Sequence, residues 1–319
     1  MIPVLVLLAS AVLLGGAAPA LEPVTCSDTD GAAAARVAVH HINENHKHGY
    51  KFRLGETRGR TVEQVDDGCN VDLQLDLLET KCSVLDPKHF EDCETRSQTD
   101  RAVLANCTLM MTVEAGDAKV TKYECDVRKE MTNEQMVRVC PDCPSFIPLN
   151  SPEGLKSIHQ AVQQFNQNKT NERYYVLQEV GRIKSGYMMM AGTSYYTEFV
   201  LVESHCPMGS RIMPWACTPL CPDRARHSFC RSSHTDKYGV MSLECELAPP
   251  ANTEALSPGQ QEPVCDDRPS KAAPGGPPTT DGLPPVPMCL GLHDTDPALH
   301  PICPWPAPLL LPLPRPHQA

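Results

Sequence analysis

The chain has 319 residues, a formal charge of −11 at pH 7, 16 cysteines, and only six Phe and two Trp. That acidity argues against nucleic acid and anionic membranes as partners, since both attract clustered Lys and Arg. So many cysteines point to an oxidising compartment in which thiols are paired, and the length suits two domains of ordinary size plus a tail.

Val4 to Leu14 form an apolar run broken only by Ser10, followed by Ala18-Pro19-Ala20. This reads as a signal peptide over residues 1–20, with a secreted, extracellular mature chain starting near Leu21. No later segment has the apolar length of a membrane-spanning helix. A helical period then places Ala35, Ala38, Val39 and Ile42 on one face, and the pattern stops at Asn43-Glu44-Asn45. The strand-like Tyr50-Lys51-Phe52-Arg53-Leu54 follows, and Asp72 to Leu77 alternates in polarity as a half-buried strand does.

About one domain length later the same order returns. Ser151 caps a helix with Pro152 in its first turn, and Ile158, Ala161, Val162 and Phe165 repeat the apolar face. The stop is Asn166-Gln167-Asn168, and the strands begin at Tyr174-Tyr175-Val176-Leu177 and Tyr196 to Leu201. Glu79 and Glu203 each precede a cysteine by three positions. Cys82 and Cys93 have the spacing of Cys206 and Cys217, and wider pairs follow, Cys107 with Cys125 and Cys230 with Cys245. Such matched markers indicate a duplication. The expected fold is α+β, with two tandem domains over 21–139 and 151–247, each one helix on a curved antiparallel sheet. From Ala248 onward lie 19 of the 31 prolines, so residues 248–319 are expected to be a largely disordered Pro-rich tail, with Cys303 as the residue that can tie it down. The sequons Asn106-Cys107-Thr108 and Asn168-Lys169-Thr170 are candidate glycosylation sites.

The helix, the alternating strands and the nested cysteine pairs resemble the cystatin superfamily, and the tandem arrangement with a Pro-rich tail resembles the fetuins. The linker over 140–150 narrows this. Its Cys140-Pro141-Asp142-Cys143-Pro144, followed by Ser145-Phe146-Ile147-Pro148, looks like the signature of the fetuin-B group. That resemblance implies an inhibitor of astacin-family zinc metallopeptidases, active in fertilisation, in which Asp142 ligates the catalytic zinc of the target. A catalytic zinc keeps one position open for water, and a carboxylate there displaces the nucleophile. Cys140, Pro141, Cys143 and Pro144 would stiffen the loop that carries it. No cofactor and no metal of its own are implied, and a monomer is expected.

Sequential pairing is expected within each copy: Cys82 with Cys93, Cys107 with Cys125, Cys206 with Cys217, Cys230 with Cys245, and Cys140 with Cys143 in the linker. The resemblance implies Cys26 with Cys303. It leaves Cys69, Cys221, Cys265 and Cys289 open, with Cys265–Cys289 and a domain-tying Cys69–Cys221 bridge as possibilities.

Three other readings compete. Cystatins block papain-like peptidases with a Q-x-V-x-G hairpin, but here Gln64-Val65-Asp66-Asp67-Gly68 puts a carboxylate at the central Val, and Met188-Met189-Met190-Ala191-Gly192 lacks the Gln. Tyr187, Met188, Met189 and Met190 instead form an adaptable apolar tip, expected to be a secondary contact with the target. Mineral binding, as in fetuin-A, would use Asp72, Gln74 and Asp76, which share one strand face. The group His40, His41, His46 and His48 reads as the polar end of a helix. Peptidase, hydrolase, P-loop and dinucleotide motifs are missing, and the paired cysteines offer no nucleophile, so an enzyme is not expected.

Overall fold

The structure, a computed structural model, describes residues 23–27, 31–212, 214–257, 259–265, 289 and 295–308. The expected signal peptide lies outside them. Helix α1 (Ala32–Asn45) buries Ala34, Ala35, Ala38, Val39 and Ile42. Its small side chains let it lie close over an antiparallel sheet ordered β1 (Tyr50–Val65), β2 (Gly68–Ser83), β3 (Val103–Glu114) and β4 (Asp117–Lys129). Alternation in β2 puts Val71, Leu73, Leu75 and Leu77 into one core with α1. After a short helix α2 (Asn133–Val139) and a two-residue strand β5 (Ser145–Phe146), the second unit repeats the plan. Helix α3 (Pro152–Phe165) packs on β6 (Arg173–Met188), β7 (Gly192–Pro207), β8 (His227–Thr235) and β9 (Gly239–Ala248), with β5 as the first strand of that sheet. Ile158, Ala161, Ile183, Phe199 and Leu201 form its core.

The Asn-rich helix stops are clamps. Asn43 donates to Phe52 O at 2.9 Å and accepts from Phe52 N at 2.8 Å, while Asn166 makes the same two bonds to Tyr175 at 2.8 and 2.9 Å. In each unit one amide side chain completes the backbone pairing of the first long strand and fixes where the helix leaves it.

The two units meet across a buried ionic group. Arg96 bonds Glu198 of β7 at 2.6 Å and Glu79 of β2 at 3.2 Å, and Arg182 of β6 closes the set on Glu79. Tyr50 donates to Glu198 at 2.7 Å and lies beneath Arg96, whose guanidinium carbon is 4.3 Å from the ring centre. Position 181 must be glycine, because a Cβ there would stand 2.5 Å from the Tyr50 hydroxyl. Burial alone would raise the Glu198 carboxyl, but Arg96 and Arg182 hold it well below the usual carboxylate range.

All described cysteines are bridged. The five pairs within the copies and the linker are Cys82–Cys93, Cys107–Cys125, Cys206–Cys217, Cys230–Cys245 and Cys140–Cys143. The implied Cys26–Cys303 bridge is corrected: Cys26 pairs with Cys69 and Cys303 with Cys289. Cys69 opens β2 inside the first core, and Cys26 packs against that core, so the two meet at a Cα separation of 5.9 Å. Cys221 pairs with Cys265, so neither the Cys69–Cys221 nor the Cys265–Cys289 alternative forms. The domains are therefore tied to each other by side chains and by the linker, with no disulfide between them.

Two stretches of the Pro-rich tail are packed. Near Cys265, Arg224 pairs with Glu262 at 2.9 Å. Farther on, Trp305 exchanges both backbone hydrogen bonds with Tyr123 at the edge of β4, at 2.8 and 3.1 Å, and Ile302 enters the first core. His300 Nε2 donates to Val180 O at 2.8 Å, so that nitrogen carries the proton. The plain reading of the histidine group fails for His46, which is buried with His300 nearby. Burial, with the neighbouring imidazoles, lowers His46 to about 3, and burial lowers His300 to about 4.

Glu179 lies in the same buried region, accepting from Gly49 N and standing 3.6 Å from His300 Nε2. Burial pushes its carboxyl up to about 7, against the smaller opposing effect of the Gly49 N–H. Its folded value exceeds the ordinary 4.5, so its contribution to stability is complete below the unfolded value and is lost as pH rises through about 7. Glu179→Gln keeps an acceptor for Gly49 without the buried charge. It is expected to stabilise the protein at pH 8 by on the order of 2 kcal/mol, a gain that shrinks toward pH 5. Thermal unfolding of both proteins across this range checks it, and a gain independent of pH would contradict it.

Candidate functional site

The linker loop is built from two firm ends. Thr132 caps α2 reciprocally, its hydroxyl accepting from Gln135 N at 3.2 Å while the Gln135 side chain accepts from Thr132 N at 2.9 Å. The helix ends when Cys140 N donates to Met136 O at 2.7 Å. The chain then turns, with Cys143 N donating to Cys140 O at 3.1 Å and the Cys140–Cys143 bridge spanning 5.3 Å between Cα atoms. Pro141 and Asp142 are exposed at the apex.

Downstream, the loop is strapped to the second sheet. Ser145 and Phe146 pair with Ser185 and Lys184, and Ile147 N donates to Ile183 O at 3.2 Å. Pro144 lies against Gly186, 3.6 Å from where a Cβ would stand. The pairing ends at Ser145, and Pro144 beside Gly186 carries the chain toward the hairpin end of β6. The loop apex thus sits toward the same end of the sheet as the β6–β7 hairpin.

Phe146 anchors the base. It is buried, its carbonyl accepts from Asn133 Nδ2 at 3.2 Å, and its ring faces the cations of Arg182, Arg101 and Lys129 at 4.9, 5.1 and 5.6 Å. Val103, Ala298 and Leu299 complete its surroundings.

The β6–β7 hairpin exposes a large apolar tip, with Tyr187 76%, Met189 91% and Met190 82% accessible and Met188 half exposed. A contiguous exposed apolar patch of this kind makes the hairpin a candidate contact surface. The adjoining β8–β9 turn extends it: Asp236 N donates to Thr193 O at 3.1 Å, Lys237 Nζ to Met190 O at 3.4 Å, and Tyr238 and Met241 are exposed. Those two residues escaped the sequence reading, because neither lies in a motif and only the folded sheet brings the β8–β9 turn against the methionine hairpin.

The other candidates stand elsewhere. At the β1–β2 tip, Asp66 and Asp67 are exposed between the pairs Gln64–Cys69 and Val65–Gly68. Gly68 has a packing reason of its own, since a Cβ there would lie 2.0 Å from Val113 O. On the outer face of the first sheet, Asp76 is engaged by Arg58 and by Asn106 at 2.7 Å, and Thr61 reaches Asp72 at 3.4 Å. Burial is the largest single influence and raises the Asp76 carboxyl, but the bonds from Arg58 and Asn106 and the charges of Arg58 and Arg128 together hold it below its ordinary value. Among the described residues no group of three or more His, Cys, Asp or Glu is placed to hold a metal. Asn106 is exposed on β3, and Asn168 is exposed after α3, where its Oδ1 accepts from Thr170 N at 3.1 Å.

Residues 19–116 and 143–237 match the Cystatin domain family. The chain is 31% identical over 217 residues to the alpha-2-HS-glycoprotein of Ovis aries, a match covering 68% of this chain and 57% of that one. Two solved structures resemble the fold at 25% identity. "Mouse fetuin-B in complex with crayfish astacin" superposes with a TM-score of 0.53 over 72% of this chain and 74% of that chain. "Inhibitory complex of human meprin beta with mouse fetuin-B" gives 0.56 over 76% and 82%. This chain belongs to the cystatin superfamily, and its tandem arrangement places it in the fetuin family. It spans less than two thirds of the length of the first curated relatives it matches.

The Cys140–Cys143 ring is too small to restrict the unfolded chain much, so its effect should be local. Replacing both cysteines with Ser is expected to move the thermal midpoint by only a few degrees (about 2 kcal/mol or less) while the backbone amides of residues 142 and 143 exchange much faster. Hydrogen exchange read by mass spectrometry checks this; unchanged exchange would show that the prolines alone shape the loop.

Proposed function

We propose that this protein acts outside the cell as an inhibitor of astacin-family zinc metallopeptidases, with Asp142 as the residue that occupies the target's catalytic zinc. One observation carries the reading: an exposed carboxylate stands at the apex of a disulfide-closed, proline-flanked loop whose base is fixed to both domains. The similarity to fetuin-B, solved with astacin and with meprin beta, supports the same target class.

Ligation needs an anionic oxygen at about 2.0–2.2 Å from zinc, in the position a catalytic water would hold. Asp142 is exposed and can approach such a site. Removing that water removes the nucleophile, so the inhibitor works by occupancy and carries no chemistry of its own. Because capping box, disulfide and strand pairing fix the loop before the encounter, little ordering entropy remains to oppose binding. The exposed methionine tip, at the β6–β7 end of the sheet that β5 joins, supplies apolar contact on the rim of the cleft.

The rival readings lack comparable support. A papain-type wedge needs an apolar hairpin end, and the first unit presents Asp66 and Asp67 there. A mineral-binding face needs free carboxylates, and Asp76 already pairs with Arg58. Glycans at Asn106 and Asn168 would project from exposed positions and leave the loop clear.

Two measurements follow. Titrated against an astacin-family peptidase, Asp142→Ala should lose at least about a hundredfold in inhibition, a deficit of about 3 kcal/mol, while papain stays uninhibited throughout. Equal potency of Asp142→Ala and wild type would remove the zinc-ligand role. Replacing Met188, Met189 and Met190 together by Ser should weaken inhibition by about tenfold without changing the unfolding midpoint. Unaltered inhibition would assign the exposed methionines no part in target contact.

A further inference from the structure

The linker is gripped by a part of the chain far from it in sequence. Lys129, the last residue of β4 and the start of the segment that runs through α2 into the linker, pairs with Asp296 at 2.8 Å. Leu149, where it ends, donates its backbone N–H to Pro297 O at 3.0 Å. Between these points Phe146 packs on Ala298 and Leu299, which are themselves buried. Asp296 shapes the segment, its carboxylate accepting from Ala298 N at 3.0 Å and its carbonyl from Leu299 N at 3.0 Å. One tight turn therefore touches the start, the middle and the end of the segment that presents Asp142.

The turn is held on both sides. His300 bonds Val180 O on β6 at 2.8 Å, and Trp305 pairs with Tyr123 on β4. The Cys289–Cys303 bridge closes within the C-terminal region itself, so the described disulfides do not link that region to either domain. Its hold on this segment is made of packing, hydrogen bonds and the Lys129–Asp296 ion pair.

From this placement we infer that the C-terminal turn Asp296–Leu299 is a positioning element of the inhibitory loop, with Leu299 as its main contact on Phe146. The inference rests on the reading of Asp142 given above. Phe146 lies four residues from Asp142, and between them stand only the bridged Cys143, Pro144 and the sheet-paired Ser145. Movement at the ring is passed to the apex through a short, stiff connection. Leu299 and Ala298 share one buried apolar cluster with the ring that the three cations face, so the linker's orientation depends on the turn being docked.

The test uses the full chain with Leu299→Glu and the conservative Leu299→Met. Two readouts are taken, hydrogen exchange over residues 141–147 and inhibition of an astacin-family peptidase, with exchange in β8 and β9 as the control for general loosening. Leu299→Glu is expected to speed exchange over 141–147, leave β8 and β9 unchanged, and weaken inhibition by about tenfold. Leu299→Met should stay within about twofold of wild type in both readouts. If Leu299→Glu is not secreted, Leu299→Ala carries the same test with a smaller shift in the same direction. Unchanged exchange over 141–147 overturns the inference, even where inhibition falls, because the effect then lies in contact with the target. A wild-type chain that fails to inhibit overturns the proposed function instead, and the exchange readout still decides whether the turn positions the loop.

Discussion

The geometry of this molecule depends on four charged side chains buried where its two domains meet. Arg96 and Glu79 come from the first unit, Arg182 and Glu198 from the second, and the contacts cross between them. Buried ion pairs add little net stability, because taking the charges out of water costs about as much as their attraction returns. What they do supply is direction. A guanidinium needs its acceptors in one plane at fixed distances, so rotation of one domain against the other would strand a buried charge. Tyr50, held between Arg96 and Glu198 and seated on Gly181, adds a shape constraint to the electrical one.

That fixed angle matters because the linker is shared. Its first half grows from the end of the first sheet through α2, and its second half is a strand of the second sheet. If the domains moved independently, the loop between them would have to yield. With the angle set, α2 and β5 become two posts, and the short disulfide ring spans the gap. Arg101 and Arg182 contribute to both levels, since each faces the Phe146 ring at the base of the loop and Arg182 also belongs to the domain contact.

Much of this was legible in the chain alone. Period 3.6 and period 2 patterns located both helices and the central strands, because burial on one face leaves a direct trace in residue order. The cysteine spacings repeated with the duplication, and a local pair needs only a turn to bring it together. The linker was visible because its motif is made of contiguous residues. What escaped detection depends on long-range placement. Cys26 could be assigned to Cys303 only by resemblance, and nothing in its neighbourhood indicates that Cys69 lies closer. Glu79, seen as a repeat marker beside Glu203, gave no sign of meeting Arg182, which is 103 positions away. A proline-rich composition likewise cannot show that one turn in the tail fits against Phe146, since that contact uses two small segments and little sequence.

The duplication explains why the two halves are not interchangeable. Positions that build a domain are kept in both: the asparagine clamps at Asn43 and Asn166, the helix faces, and the nested disulfides. Positions that face outward have parted. Glu203 stays within its own unit, accepting from Arg226 N, while its counterpart Glu79 crosses to the other domain. The hairpin tips diverge in the same sense, with Asp66 and Asp67 on one and three exposed methionines on the other. A symmetric pair would offer two equal ends and no preferred place for a partner. Here the asymmetry puts the apolar tip on the second sheet, the one the linker strand joins, and the buried ion group between the units holds the two domains at one angle.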